Sequence, residues 1–206
     1  MISSRPTTGT GMLAVFCDLE PQWHREFREW LRDDMMPPRL KIGFPHCASY
    51  DLIATAPVAA GAPEPFVTVY ETGSIGDLYG APYQGLRVKR DSRDAAFHAR
   101  FIKPARYTLS WVGPELTRTS GGFAPVAVFD RFDLAPAAVQ DFNLWYVTRY
   151  LPRLEDIRGV ARVRRYLAME GQPSHVVVHE LQDDAVLAGA DWADARAALA
   201  QAAATA

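Results

Sequence analysis

Hydrophobic positions along the chain follow two periods, and the switches between them outline a series of elements. "MLAVFCDL" (Met12–Leu19) and "PVAVFDRFDL" (Pro125–Leu134) are β-rich runs, each followed by a proline, Pro21 or Pro136, suited to the first turn of a helix. A period near 3.6 then takes over. Trp23, Phe27, Trp30 and Leu31 form an i, i+4, i+7, i+8 stripe, as do Ala138, Phe142, Trp145 and Tyr146. Pro37 and Pro152 are expected to end these helices. The segments "CASYDLI" and "FVTVYE", and later "ARVRRYLA" and "HVVVHE", read as second and third strands. The first half goes on through "DAAFHARF", a helix, into "ARYTLSWV", a fourth strand. The second half closes on the alanine-rich "ADARAALAQAAATA", with no fourth strand of its own.

The two halves therefore read as copies. At an offset of 115, seven of the 25 positions from Asp18 to Ile42 are identical, including Phe27/Phe142, Trp30/Trp145 and Pro37/Pro152; chance gives about one or two at average composition. Gly43 and Tyr50 match Gly159 and Tyr166 one inserted residue later. The offset drops to 109 after the first copy's extra loop, "ATAPVAAGAPEP", so that "LYGAPY" meets "LAGADW". Each strand-helix-strand-strand-helix unit predicts an antiparallel sheet with helices on one face, ferredoxin-like in plan. The expected organisation is a disordered or extended tail over residues 1–11, a first repeat over 12–116, a linker over 117–124 and a second repeat over 125–206. The second sheet would be left with an incomplete edge, covered by the tail, by the C-terminal helix or by another chain.

The frame of Trp30, Pro37 and Arg39-Leu40, then a glycine, an aromatic strand, Tyr70-Glu71 and the L-x-x-x-x-Y helix, resembles the dimeric α/β-barrel superfamily, in particular its EthD-like branch. The resemblance implies an α+β fold in which two ferredoxin-like repeats with antiparallel sheets build, within one chain, the barrel that relatives make from two. It also implies a small-molecule site. Relatives include cofactor-independent monooxygenases, isomerases, polyketide cyclases and haem enzymes. The family's helix histidine falls here at Met35 and Tyr150, so a mechanism resting on that histidine does not carry over.

Charge narrows the partners. The 22 basic and 24 acidic residues, net −2, are scattered in both signs, which leaves no stripe for a nucleic-acid backbone. No apolar run reaches the roughly 18 residues of a membrane span, and "MISSRPTTGTG" lacks a secretory apolar segment, so a cytoplasmic protein is expected. Cys17 and Cys47 have no metal or disulfide spacing and read as reduced core thiols. No histidine pair has metal-ligand spacing, so neither a metal nor a cofactor is expected. Monomer and homodimer are both compatible with the pattern.

The candidate chemistry lies at the aligned strand ends. Imidazole transfers protons near neutral pH, and a phenol can donate to a developing oxyanion. His179 and Tyr166 are the expected acid-base pair, with Tyr150 beside them; Trp145, Tyr146, Arg164, Tyr50, Tyr70 and Trp30 are expected to bind substrate, and the working site to lie in the second half. Strand alternation within the second half groups Arg162, Arg164, Tyr166, His175 and His179 on one face, where buried arginines would need a carboxylate partner or an anionic ligand. His98, in "AAFHARF", is the candidate haem ligand. Three functions stay open: a cofactor-independent isomerase, cyclase, lyase or oxygenase acting on a small aromatic or lactone-like metabolite; a non-catalytic binding protein; and a haem enzyme.

Overall fold

The computed structural model describes residues 1–53, 64–119 and 121–205. Most of the extra loop expected after residue 53 lies outside the described residues, as does position 120 of the expected linker. The chain divides into two compact units: Gly9–Ser110, and Met1–Thr8 together with Trp111–Ala206. Both are α+β.

In the first unit, β2 (Gly11–Asp18) leads through a 3₁₀ turn at Pro21–Trp23 into α1 (His24–Trp30). Next come β3 (His46–Asp51), β4 (Phe66–Thr72), α3 (Ala81–Val88), α4 (Ser92–Arg100) and β5 (Ile102–Thr117), with α2 (Met36–Lys41) between α1 and β3. The strand order is β3-β4-β2-β5, and the pairs β3–β4, β2–β4 and β2–β5 are antiparallel. The second unit repeats the sequence of elements: β6 (Val126–Phe132), a 3₁₀ turn at Pro136–Ala138, α5 (Val139–Trp145), α6 (Leu151–Asp156), β7 (Val160–Glu170), β8 (His175–Leu181) and α7 (Ala190–Thr205). The bounds of α1 and α5, and of α2 and α6, differ by 115 at both ends.

Two expectations are corrected here. The helices do not end at Pro37 and Pro152. A five-residue π-helical turn, Leu31–Met35 or Tyr146–Tyr150, precedes each proline, and the helix continues to Lys41 or Asp156. Met36 N–H donates to the Leu31 carbonyl and Leu151 N–H to the Tyr146 carbonyl, both i→i−5. The wider turn places the proline in the first turn of a new α segment, where its missing N–H costs nothing. The second correction concerns the strand found wanting in the second half. β5 runs seven residues past Ser110, and this extension belongs to the second unit, where it neighbours β7 in the order β5-β7-β8-β6. The N-terminal segment is no loose tail there: β1 (Ile2–Ser3) pairs with β5 through Ile2 opposite Leu116 and Ser3 opposite Glu115.

Glycine closes both helix-to-strand turns. Gly43 and Gly159 sit at φ +99° and +89°, which other residues adopt at a cost, and a Cβ on Gly159 would meet Val186 Cγ2 at 2.5 Å. Among the described residues no helix is long and apolar enough to cross a membrane.

Candidate functional site

The register of the first unit's sheet determines which side chains meet its helices. Leu13 lies opposite Tyr70, and Val15 opposite both Thr68 and Arg106, so these five share a face. Between that face and the helices lies a cavity of about 280 Å³. Two apolar clusters flank it. One gathers Phe27, Trp30, Leu31 and Met35 with Phe66 and Phe97; the other gathers Leu13, Phe44, Tyr70, Leu78 and Tyr83. Most of the lining is apolar, as in small-ligand sites generally.

The polar lining comes from the helices. Asp91 caps α4 by accepting from Asp94 N–H at 2.8 Å, and Phe97 anchors the helix by stacking on Trp30 at 4.8 Å. Arg93 adds a tie to the first π turn, 2.6 Å from Asp34. Held this way, α4 presents Asp94 and His98, one turn apart, to the cavity. His98 Nδ1 lies 2.7 Å from Asp94 Oδ1 and 2.9 Å from the Asp94 carbonyl oxygen. Both neighbours are acceptors, so Nδ1 carries the proton and the neutral ring keeps its basic lone pair on Nε2. Nε2 has no hydrogen-bond partner among the described residues.

Arg39, on α2, donates through Nη1 to the Met35 carbonyl at 2.6 Å, and its guanidinium lies 4.8 Å from the Tyr70 ring centre and 5.9 Å from that of Tyr83. The Tyr70 and Tyr83 hydroxyls also line this space, and among the described residues neither bonds to protein. Burial raises the Tyr70 phenol well above its ordinary pKa, the nearby Arg39 charge offsetting this only in part, so the group is a donor and not a phenolate. Burial likewise pushes the Cys17 thiol up to about 12, which leaves it without nucleophilic character.

The residues expected from sequence are distributed differently. Trp30 and Tyr70 line the cavity, whereas Tyr50, opposite Val67, is on the other face of the sheet. The Tyr166–His179 pair is a correction: Tyr166 lies opposite Val176 and His179 opposite Val163, so the two rings point to opposite faces of the second unit's sheet. His179 meets Tyr150 instead, Nε2 to Oη at 2.8 Å, with Asp130 Oδ2 3.2 Å from Nδ1 and the Trp192 ring edge-on at 5.4 Å. Both are sealed, His179 at 0% and Tyr150 at 1% exposure. Burial lowers the His179 pKa to about 3, which makes it a neutral core imidazole. Trp145 stacks on Tyr150 at 5.2 Å, and Tyr146 lies beneath the Arg165 guanidinium at 4.9 Å.

The buried arginines have their carboxylate. Arg162 forks onto Glu180 at 2.7 and 2.9 Å, and Arg164 bonds Thr8 at 2.8 Å with Glu180 3.5 Å away. Glu180 thus shares the face of Arg162, contrary to the grouping expected from alternation alone. None of His179, Tyr166, Tyr150, Trp145, Tyr146 or Arg164 lines the cavity of the first unit.

Solved structures resemble this fold. An anthrone oxidase-like protein superposes with a TM-score of 0.59 over 98% of this chain and 89% of its own, at 12% identity. A monooxygenase-named protein from Lactobacillus acidophilus gives 0.58 over 90% and 85%, at 8% identity, and another from Fusobacterium nucleatum gives 0.50 over 90% and 84%, at 10%. No protein-family model matches the sequence, and neither does any curated protein. At these identities the likeness concerns the fold.

Sequence reasoning passed over Asp94, considered His98 only as a haem ligand, and met Arg39 and Tyr83 only as parts of the family frame, with no role at a site. The signal for the first two was present: an acid and a histidine four residues apart in "SRDAAFHARF", behind an Asp cap, face the same side of a helix. Nothing local marks Arg39 and Tyr83 as site residues, since only the fold brings them to Tyr70.

Proposed function

We propose that the chain is an enzyme that withdraws a proton from a small aromatic substrate in the first unit's cavity, the two units being diverged copies of one ferredoxin-like repeat. The observation that carries this reading is the Asp94–His98 arrangement: a histidine whose Nδ1 bonds the Asp94 carbonyl and lies 2.7 Å from the Asp94 carboxylate while its other nitrogen is unclaimed, beside an aromatic cavity. His98 Nε2 takes the proton from a carbon activated by a neighbouring ketone. Asp94 holds the tautomer and steadies the imidazolium that forms. Tyr70, kept protonated by burial, donates to the enolate or phenolate oxygen as charge develops there. Trp30, Phe27 and Tyr83 supply flat apolar walls for an aromatic ring.

The same first step serves an isomerase, a cyclase or a cofactor-independent oxygenase. The name of the anthrone oxidase-like neighbour favours a substrate whose acidic methylene lies between aryl rings and is conjugated with a ketone. Loss of a proton there gives an aromatic oxyanion, which dioxygen can oxidise. Haem fits this site poorly: a porphyrin exceeds a cavity of about 280 Å³. A purely binding function leaves the Asp94–His98 arrangement without a role.

The test is turnover of anthrone under air, scored as consumption of one dioxygen with formation of anthraquinone and water, alongside a panel of aromatic ketones scored for proton exchange at the activated carbon. His98→Gln should lower the rate about 10²-fold or more. Asp94→Asn should lower it less and alter the pH profile, as expected of a residue acting through the histidine. A His98→Gln protein that turns over at the wild-type rate would overturn the reading.

A further inference from the structure

The charge on the cavity wall is one-sided. Among the described residues three guanidinium groups besides the partnered Arg106, those of Arg39, Arg87 and Arg90, line it against the one carboxylate of Asp94. Asp94 is already engaged by His98 at 2.7 Å and has Arg90 at 3.8 Å. Arg39 has no carboxylate partner among the described residues, and its Nε is a buried donor without an acceptor. A second orphaned donor, Trp30 Nε1, belongs to another side chain of the same wall. Two unmet buried donors and a surplus of positive charge share one complement: an acceptor bearing negative charge.

We infer that the cavity takes an aromatic anion, a ring system carrying a carboxylate or an acidic phenol, with Arg39 as the specificity-determining contact. This rests on the assignment of the cavity as the working site and adds the substrate class. Arg39 suits the role because the Met35 carbonyl holds its Nη1 and its guanidinium is spread over the rings of Tyr70 and Tyr83, which leaves Nε and Nη2 to receive an anion. A planar cation preorganised in this way loses little entropy on receiving a carboxylate. The anion then sits beside Tyr70, whose ring lies 4.8 Å from the Arg39 guanidinium, in the same cavity that His98 lines.

The probes are 2-naphthoate and its neutral counterpart 2-naphthamide, titrated against the full chain by calorimetry. Naphthoate should bind at least about tenfold more tightly than naphthamide. Arg39→Gln should bring the two within about twofold of each other, and Arg39→Lys should keep part of the preference because it keeps the charge but loses the fork. Equal affinities in the wild type, or an unchanged ratio in Arg39→Gln, would overturn the inference. Should Arg39→Gln fail to fold, the wild-type pair still decides: between roughly 50 and 500 mM salt the naphthoate affinity should fall several-fold while that of naphthamide holds, and parallel behaviour would count against an ionic contact. These measurements read binding alone. A missing anion preference would therefore remove the substrate class without touching the assignment of His98, which turnover tests.

Discussion

The two units put nearly the same elements to opposite uses in the space between sheet and helices: the first keeps a cavity there, and the second fills it. Position by position the difference is one of how the side chains pair with one another and of helix length. Where the first unit has Met35, Val15 and Tyr83, the second has Tyr150, Asp130 and Trp192, at offsets of 115, 115 and 109. Tyr70 corresponds to His179, and Arg87 to Arg196. In the second unit these residues close on one another: Tyr150 bonds His179, His179 abuts Trp192, and Asp130 takes both His179 and Arg196. The helices differ as well. α3 stops after eight residues and the chain turns into α4, whereas α7 runs for 16 and sets Trp192, Ala195 and Leu199 into the second unit's core. The Tyr150–His179 bond lies sealed inside a packed core, whereas Arg39 Nε and the unclaimed imidazole nitrogen of His98 lie on residues that line a cavity, where a ligand can reach them.

The sharpest way to break this comparison is to make the first unit resemble the second. Met35→Tyr combined with Tyr83→Trp brings the larger rings into the cavity. We expect 2-naphthoate binding to disappear and turnover to fall by about 100-fold, with a stability cost of about 1–3 kcal/mol for overpacking. Calorimetry with a thermal melt measures both. Retained binding in a folded double variant would move the site elsewhere.

The reverse change empties the second unit. Trp192→Ala should destabilise the protein by about 3–5 kcal/mol, as expected for loss of a large buried ring. Naphthoate affinity in the surviving folded fraction should stay within about twofold of wild type, since the residue takes no part in the first unit's site. Urea unfolding with calorimetry below the transition separates the two quantities. A large loss of affinity would show that the second unit holds the ligand.

The smallest effect is one of pH. Burial keeps His179 neutral down to about pH 3, whereas an unfolded imidazole takes up its proton below about pH 6.5. The unfolded chain therefore binds more protons across that window, and stability falls with acid by about 1.4 kcal/mol per pH unit from this residue alone. Against wild type, His179→Gln should remove about 2 kcal/mol of the loss between pH 6.5 and pH 5. Urea midpoints at the two values measure it. Equal acid sensitivity would mean that His179 titrates in the native state, as a catalytic group would.

Both aromatic helices and their starts at Pro21 and Pro136 follow from local pattern, and the parallel order of elements in the two halves was legible because identities such as Phe27/Phe142 and Trp30/Trp145 keep one offset. The π turns were not visible. Nothing local distinguishes a proline that stops a helix from one that begins a fresh α segment after an i→i−5 bond. Of the expected site residues, Trp30 and Tyr70 line the cavity and the second-half set does not, because titratable side chains are legible in a sequence and empty space is not.

What the sequence determines by itself is whatever depends on near neighbours along the chain: element order, helix faces, and the side of its own strand on which each residue lies. The phase between strands belongs to the tertiary structure. Alternation fixes Arg162, Arg164 and Tyr166 on one face of β7 and His175 and His179 on one face of β8, but the hairpin register decides which faces coincide. That register sets Arg162 against Glu180 and His179 against Val163, with a shift between Val160 and Arg162. The cavity is likewise a tertiary matter. It is volume left over when Met35, Tyr70, Tyr83 and His98, drawn from four separate elements, fail to fill the space between two layers, and no local period measures a remainder of that kind.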